Sequence, residues 1–145
     1  VHRDIKPRNI AFNGSGELKL LDFGLARLER EATMSGIAGH VIVGTPAYLS
    51  PEAHAHHRAH PSFDLWALCV VFYEVLTGRR PFEGSTGDEL AAIITEHRGT
   101  PITERIPDCP LALARFFAAA FAPEATARPK SAVQLASRLS ALRNP

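Results

Sequence analysis

The chain has 145 residues, the size of one domain with room for a real core. Sixteen Lys and Arg against 15 Asp and Glu leave a formal net charge of +1, so no overall positive field points to nucleic acid as a partner. Apolar residues at 46% exclude wholesale disorder, and two well-separated cysteines, Cys69 and Cys109, exclude a disulfide framework or a four-cysteine zinc site and suit a reducing compartment.

The first residue is Val1 rather than Met, and no signal-peptide pattern follows it, so the expectation is a fragment or a processed product. The opening string Val1–Asn9 carries the charges of Arg3, Asp4, Lys6 and Arg8, and Pro7 denies it a helical interior, which predicts a rigid loop. Two short strands follow around Ile10–Phe12 and Leu18–Leu20. Asn13-Gly14-Ser15-Gly16 between them supplies the positive-φ positions of a tight hairpin. After Asp22-Phe23-Gly24 comes a stretch to about residue 61 with little apolar periodicity, a length that marks a functional or mobile connection.

Four helices are predicted beyond it. The first, Ser62 to Thr77, is apolar on nearly every side and should be buried all round. Asp64 and Glu74 within it, and its length, argue against a membrane span; Gly78 is its stop. The second begins at Thr86, with Glu89 completing a capping box, and ends at Gly99. The third follows Pro110 and presents Leu113, Phe116, Phe117, Ala120 and Phe121 as one stripe. The fourth starts at Ser131, with Gln134 at the capping-box position, and carries Leu135, Leu139 and Leu142. There is no repeat, no low-complexity tract and no second domain. The fold class is mainly α with one small β-hairpin.

The hairpin returns the chain so that Asp22 can lie beside the loop holding Asp4 and Asn9. Two carboxylates and an amide oxygen are hard ligands that suit Mg²⁺, which completes its shell with phosphate and water. Lys6 is placed for a phosphate oxygen, and Gly24 permits a turn other residues resist. His54, His56, His57 and His60 form a dense cluster. Its spacing matches no zinc pattern, and a solvated loop is the expectation. Cys69, Trp66 and the phenylalanine stripe are expected in the core.

His2-Arg3-Asp4, followed by four residues and Asn9, resembles the protein-kinase catalytic loop. Asp22-Phe23-Gly24 resembles the DFG motif, and Ser50-Pro51-Glu52 the A-P-E motif with Ser for Ala. Gly44-Thr45-Pro46-Ala47-Tyr48, Asp64-Leu65-Trp66, Arg79-Arg80-Pro81-Phe82 and Ala127-Arg128-Pro129 are similar to further kinase features in the right order. The resemblance implies a protein-kinase-like C-terminal lobe over residues 1–145, lacking the N-terminal lobe, with residues 22–52 as activation segment. It implies the Ser/Thr branch, of bacterial flavour, using ATP and Mg²⁺ to phosphorylate Ser/Thr hydroxyls of protein substrates.

The roles it implies are these. Asp4 takes or orients the substrate proton, Asn9 and Asp22 hold Mg²⁺, Lys6 stabilises the transferred phosphoryl group, and Thr45 shapes the acceptor site. Arg3 would pair with a phosphate on Thr33 or Ser35. His2, Phe23, Gly24, Glu52, Asp64 and Arg128 are structural, with Glu52 and Arg128 paired. No G-x-G-x-x-G occurs in the chain, so the fragment alone is expected to be inactive without its missing N-terminal lobe. The location implied is cytoplasmic, free or as the cytoplasmic domain of a membrane-anchored kinase. The alternatives are a pseudokinase-like scaffold and an aminoglycoside-type phosphotransferase. The connection from Ala122 to Arg128 is about two residues longer than the family's usual one.

Overall fold

A computed structural model describes residues 1–23 and 44–142. Strands β1 (Ile10–Phe12) and β2 (Leu18–Leu20) pair antiparallel with Ile10 opposite Leu20 and Phe12 opposite Leu18. The loop between them is closed by one side chain. Asn13 Oδ1 accepts from the Ser15 and Glu17 amides at 3.1 and 2.8 Å and from the Ser15 hydroxyl at 2.8 Å. Gly16, at φ +80°, takes the left-handed position that side chains resist.

Helices α1 (Pro51–His54), α2 (Pro61–Thr77), α3 (Gly87–Thr95), α4 (Ile102–Arg105), α5 (Leu111–Ala120) and α6 (Ala132–Ala141) follow, with single 3₁₀ turns at Pro7–Asn9, Pro46–Tyr48 and Ala125–Ala127. The fold class matches the sequence expectation of a mainly helical chain with one hairpin.

Helix α2 is the axis, and its apolar residues divide among three surroundings. Leu65, Cys69 and Tyr73 join Ile102, Phe116, Phe117, Ala120 and Leu135. Trp66 and Val70 join Ala47, Phe82, Leu90, Ile93 and Ile94. Ala67 and Val71 join Ile5, with Ile10 and Leu20 of the hairpin packed against them. The base of the hairpin is therefore seated on the helix, while the Phe12–Leu18 pair at its tip is exposed. Pro61 opens α2 after the His60 cap, and Gly78 at φ +71° ends it with its amide on the Glu74 carbonyl. Burial all round is not complete, because Val75 and Leu76 near its end face outward.

The differences from the sequence reading have local causes. Helix α3 stops at Thr95, not Gly99, because His97 turns to φ +55°. Gly99 instead lies against the Phe82 ring, where a Cβ would stand 2.6 Å from Cε1. The two capping boxes are shifted outward. Thr86 and Ser131 accept from the Glu89 and Gln134 amides, but Glu89 and Gln134 reach past the cap to the Ser85 and Lys130 amides, each at 2.7 Å. Helices α1 and α4 were not anticipated; each has four residues, too few to express a period. Among the described residues, no helix is long and apolar enough to cross a membrane.

Candidate active site

The site is built from the N-terminal turn of α2. Asp64 turns its carboxylate onto the first loop, where Oδ2 accepts from the His2 amide at 2.7 Å and Oδ1 from the Arg3 amide at 2.9 Å. Arg3 stands at φ +73°, a conformation costing about 1–3 kcal/mol for a side-chain-bearing residue. Charge-assisted bonds to both amides offset that strain. Gly44 passes close by. A Cβ on Gly44, at φ +123°, would lie 2.5 Å from the Arg3 carbonyl oxygen. That is why this position needs glycine.

His2 is buried and uses both ring nitrogens. Nε2 donates to the Leu21 carbonyl at 2.9 Å, so Nδ1 is left to accept from the Asp4 amide at 3.3 Å. The Leu21 amide in turn donates to the Asn9 carbonyl at 2.8 Å. These bonds tie the end of β2 to the loop and deliver Asp22, exposed and at φ +59°, to its edge. Phe23 lies edge-on to the His2 ring at 4.7 Å.

Asp4 is buried and receives donors on both oxygens. Oδ1 accepts from the Thr45 hydroxyl at 2.7 Å and the Thr45 amide at 3.1 Å. Oδ2 meets Lys6 Nζ at 2.7 Å and Asn9 Nδ2 at 3.1 Å. Lys6 also donates to the Thr45 hydroxyl at 2.8 Å, so Asp4, Lys6 and Thr45 close a three-membered ring of polar contacts. Burial pushes the Asp4 carboxyl up, but Lys6, Thr45 and Asn9 together outweigh it and hold the group below the ordinary carboxylate range. Asn9 spends its Nδ2 on Asp4, on the backbone carbonyl at 2.8 Å as well as the carboxylate. That orients the amide and reserves the other pole, the oxygen Oδ1, for another partner.

Farther out, Arg128 makes a second junction. Nη1 donates to Glu52 at 2.8 Å, Nε to the Ala122 carbonyl at 2.7 Å and Nη2 to the Pro123 carbonyl at 2.9 Å. Its guanidinium lies 4.9 Å over the Trp66 ring. The long 122–128 connection is thus held by the same arginine that pairs with Glu52. Burial pushes Glu52 up, yet its own backbone amide, Arg128 and Ser50 leave it below the ordinary range. One junction was not foreseen: Tyr48 donates to Glu74 at 2.7 Å and fastens the Pro46–Tyr48 turn to α2. The two residues are 26 apart, and no local pattern joins them.

Of the residues singled out in the sequence, His2, Asp4, Lys6, Asn9, Thr45 and Asp64 meet in one network. Asp22 and Phe23 are joined to it through Leu21 and His2, and Glu52 with Arg128 forms a separate one. Gly24, Thr33 and Ser35 lie outside the described residues. The histidine cluster is not simply solvated. His54 bonds the Pro46 carbonyl and His60 caps α2. No metal-binding group of three His, Cys, Asp or Glu occurs among the described residues. Cys69 is a small core residue whose thiol is pushed up to about 12 by burial.

A family model described as the protein kinase domain matches residues 1–139. The chain belongs to the protein kinase family. It is 39% identical over 108 residues to a probable serine/threonine-protein kinase of Corynebacterium efficiens, covering 74% of this chain and 16% of that protein. It is 44% identical over 91 residues to the serine/threonine-protein kinase PknL of Mycobacterium tuberculosis, covering 63% of this chain and 22% of PknL. A cAMP-dependent protein kinase catalytic subunit-like protein of Caenorhabditis elegans is 39% identical over 98 residues, covering 68% of this chain and 23% of that protein. The kinase chain therefore spans about a fifth of the length of these relatives.

Two outcomes follow from the contacts of this kinase chain. Asp64→Asn keeps one acceptor for the two amides and sets an NH₂ group against the other. The cost is about 1.5–3 kcal/mol in urea unfolding, with faster exchange at the His2 and Arg3 amides; unchanged exchange at both would refute the anchoring role. Lys6→Met removes the cation from Asp4. Its carboxyl carbon, followed by NMR, then titrates higher than in the parent. Because the Asp4 pKa is depressed, the stability it contributes is present above the ordinary value of 3.8 and lost as pH falls through the depressed one. Lys6→Met narrows that loss, and an unmoved midpoint would mean Lys6 does not set it.

Proposed function

We propose that residues 1–145 are the part of a protein serine/threonine kinase domain that runs from the catalytic loop to the last helix. Residues 22–52 are its activation segment. In the complete domain it transfers the γ-phosphoryl group of ATP to Ser or Thr hydroxyls of proteins. The observation that carries this reading is the ring of Asp4, Lys6 and Thr45, with Asn9 alongside, at one end of a helix-anchored loop.

Asp4, kept ionised by its donors, accepts the proton of the acceptor hydroxyl. That oxygen forms its bond to the γ-phosphorus as the bond to the β–γ bridging oxygen breaks, and the electron pair leaves on ADP. Lys6 faces the charge on the phosphoryl oxygens. The Thr45 hydroxyl, bonded to both, fixes their separation. The donor set fits Mg²⁺: Asn9 offers an amide oxygen already aimed by its bonds to Asp4, and Asp22 brings an exposed carboxylate to the loop edge. The ion, when bound, supplies neutralisation of the phosphate charge.

Its partners on this reading are protein substrates and a kinase N-terminal lobe, and its place is the cytoplasm, where ATP is, free or tethered to a membrane. The relatives named as serine/threonine kinases favour this over a scaffold or a small-molecule phosphotransferase.

The test is phosphate transfer from ATP and Mg²⁺ to a Ser/Thr protein substrate by the complete domain. Asp4→Asn should lower kcat about 10²–10⁴-fold. Transfer undiminished in that variant would overturn the assignment. Arg3 is the proposed partner for phosphate on Thr33 or Ser35, so peptide mapping of the active protein should find phosphate on one of them. Full activity with both bare would remove that regulation.

A further inference from the structure

His54 closes α1 and turns its ring back to the chain behind Thr45. Nε2 lies 3.1 Å from the Pro46 carbonyl oxygen. A carbonyl only accepts, so Nε2 carries the proton. The other ring nitrogen, Nδ1, is covered from solvent and has no hydrogen-bond partner. A neutral ring tolerates this, since only a lone pair goes unused. A protonated ring would bring a second N–H and a full charge to a place with no acceptor.

Pro46 follows Thr45 directly, and Thr45 holds Asp4 through its amide and its hydroxyl at 3.1 and 2.7 Å. The other end of α1 is fixed, because Glu52 is committed to Arg128. His54 therefore braces the acceptor turn against a helix anchored at its other end by the Glu52–Arg128 pair.

We propose that neutral His54 is a positioning residue for the acceptor site: it pins the Pro46 carbonyl, and with it Thr45 against Asp4, and acid releases this hold. The proposal rests on the kinase reading for its meaning, while its physical core is the coupling of the His54 ring to Thr45. Burial is the largest influence on the ring and disfavours its proton; the Pro46 carbonyl favours it, and His56 disfavours it further. The other titratable groups on the elements packed here are engaged elsewhere or exposed to solvent. Tyr48 donates to Glu74, Glu52 pairs with Arg128, and Asp88 and Glu89 of α3 are exposed. With the folded value lowered, the brace is complete above the ordinary histidine value of 6.5 and is lost as pH falls through the lowered one. At that point the ring swings to water and the turn loosens.

The experiment follows the His54 ring and the Thr45 amide of the intact protein by NMR from about pH 8 to about pH 5, the range in which histidines titrate. The expected result is one shared midpoint, below 6.5. His54→Gln keeps an N–H for Pro46 but cannot titrate, so the Thr45 amide should stay flat over the same range. His2 also borders Asp4 and is left in place in this variant, so a change in the Thr45 profile is assigned to His54. A Thr45 amide that ignores the His54 midpoint, or titrates equally in His54→Gln, overturns the proposal. In the complete domain, the acid limb of peptide phosphorylation should shift to lower pH in His54→Gln, with the effect in KM. An identical acid limb in both proteins would also overturn it. If the ring and Thr45 titrate together but no phosphorylation occurs at any pH, the kinase reading fails and the coupling stands.

Discussion

Everything at the site depends on one carboxylate gripping two backbone amides. Asp64 sits on the first turn of a helix buried in three directions, so its position is set by core packing rather than by the loop it serves. It gives that fixed position to His2 and Arg3, and Arg3 then holds a backbone angle it would not keep alone. The direction of dependence matters. The loop contributes little packing of its own beyond Ile5, and its geometry is inherited from α2.

The same helix references two further segments. Trp66 lies under the guanidinium that gathers Glu52, Ala122 and Pro123, and Glu74 takes the Tyr48 hydroxyl from the Pro46–Tyr48 turn. Three polypeptide segments distant in sequence are thus located against one rigid rod, each by a polar group. Apolar packing alone could not do this. Packing fixes the distance between elements, but hydrogen bonds to named atoms fix the register of a loop that has no regular structure.

Much of this was legible in the sequence, and the limits have physical reasons. The central helix announces itself by a long apolar run, and the hairpin by Asn-Gly between short strands. The two four-residue helices leave no period to read. Asp4 and Asn9 could be placed together because motif spacing carries their geometry. The donors crowding Asp4 could be read only in part, since Thr45 arrives from 41 residues away. Arg128 was visible as the partner of Glu52, but its two carbonyl contacts were not: backbone oxygens carry no sequence signal. Of the histidine cluster, His56, His57 and His60 are exposed, as a solvated loop requires, and only individual contacts set His54 and His60 apart. His54 and His60 have different neighbours and do different things.

Trp66 is the only tryptophan in the chain, and it is 2% exposed. It stacks on Phe82 at 5.4 Å while the Arg128 guanidinium covers it at 4.9 Å. The junction between the Glu52 turn and the 122–128 loop therefore carries its own chromophore. Emission from this indole needs no label and reports on a single location. An intact junction gives the blue-side spectrum of a dry ring. Withdrawal of the guanidinium changes its intensity, and entry of water moves it to the red. The state of that contact can be watched optically by exciting the indole to the red of the absorption of the two tyrosines.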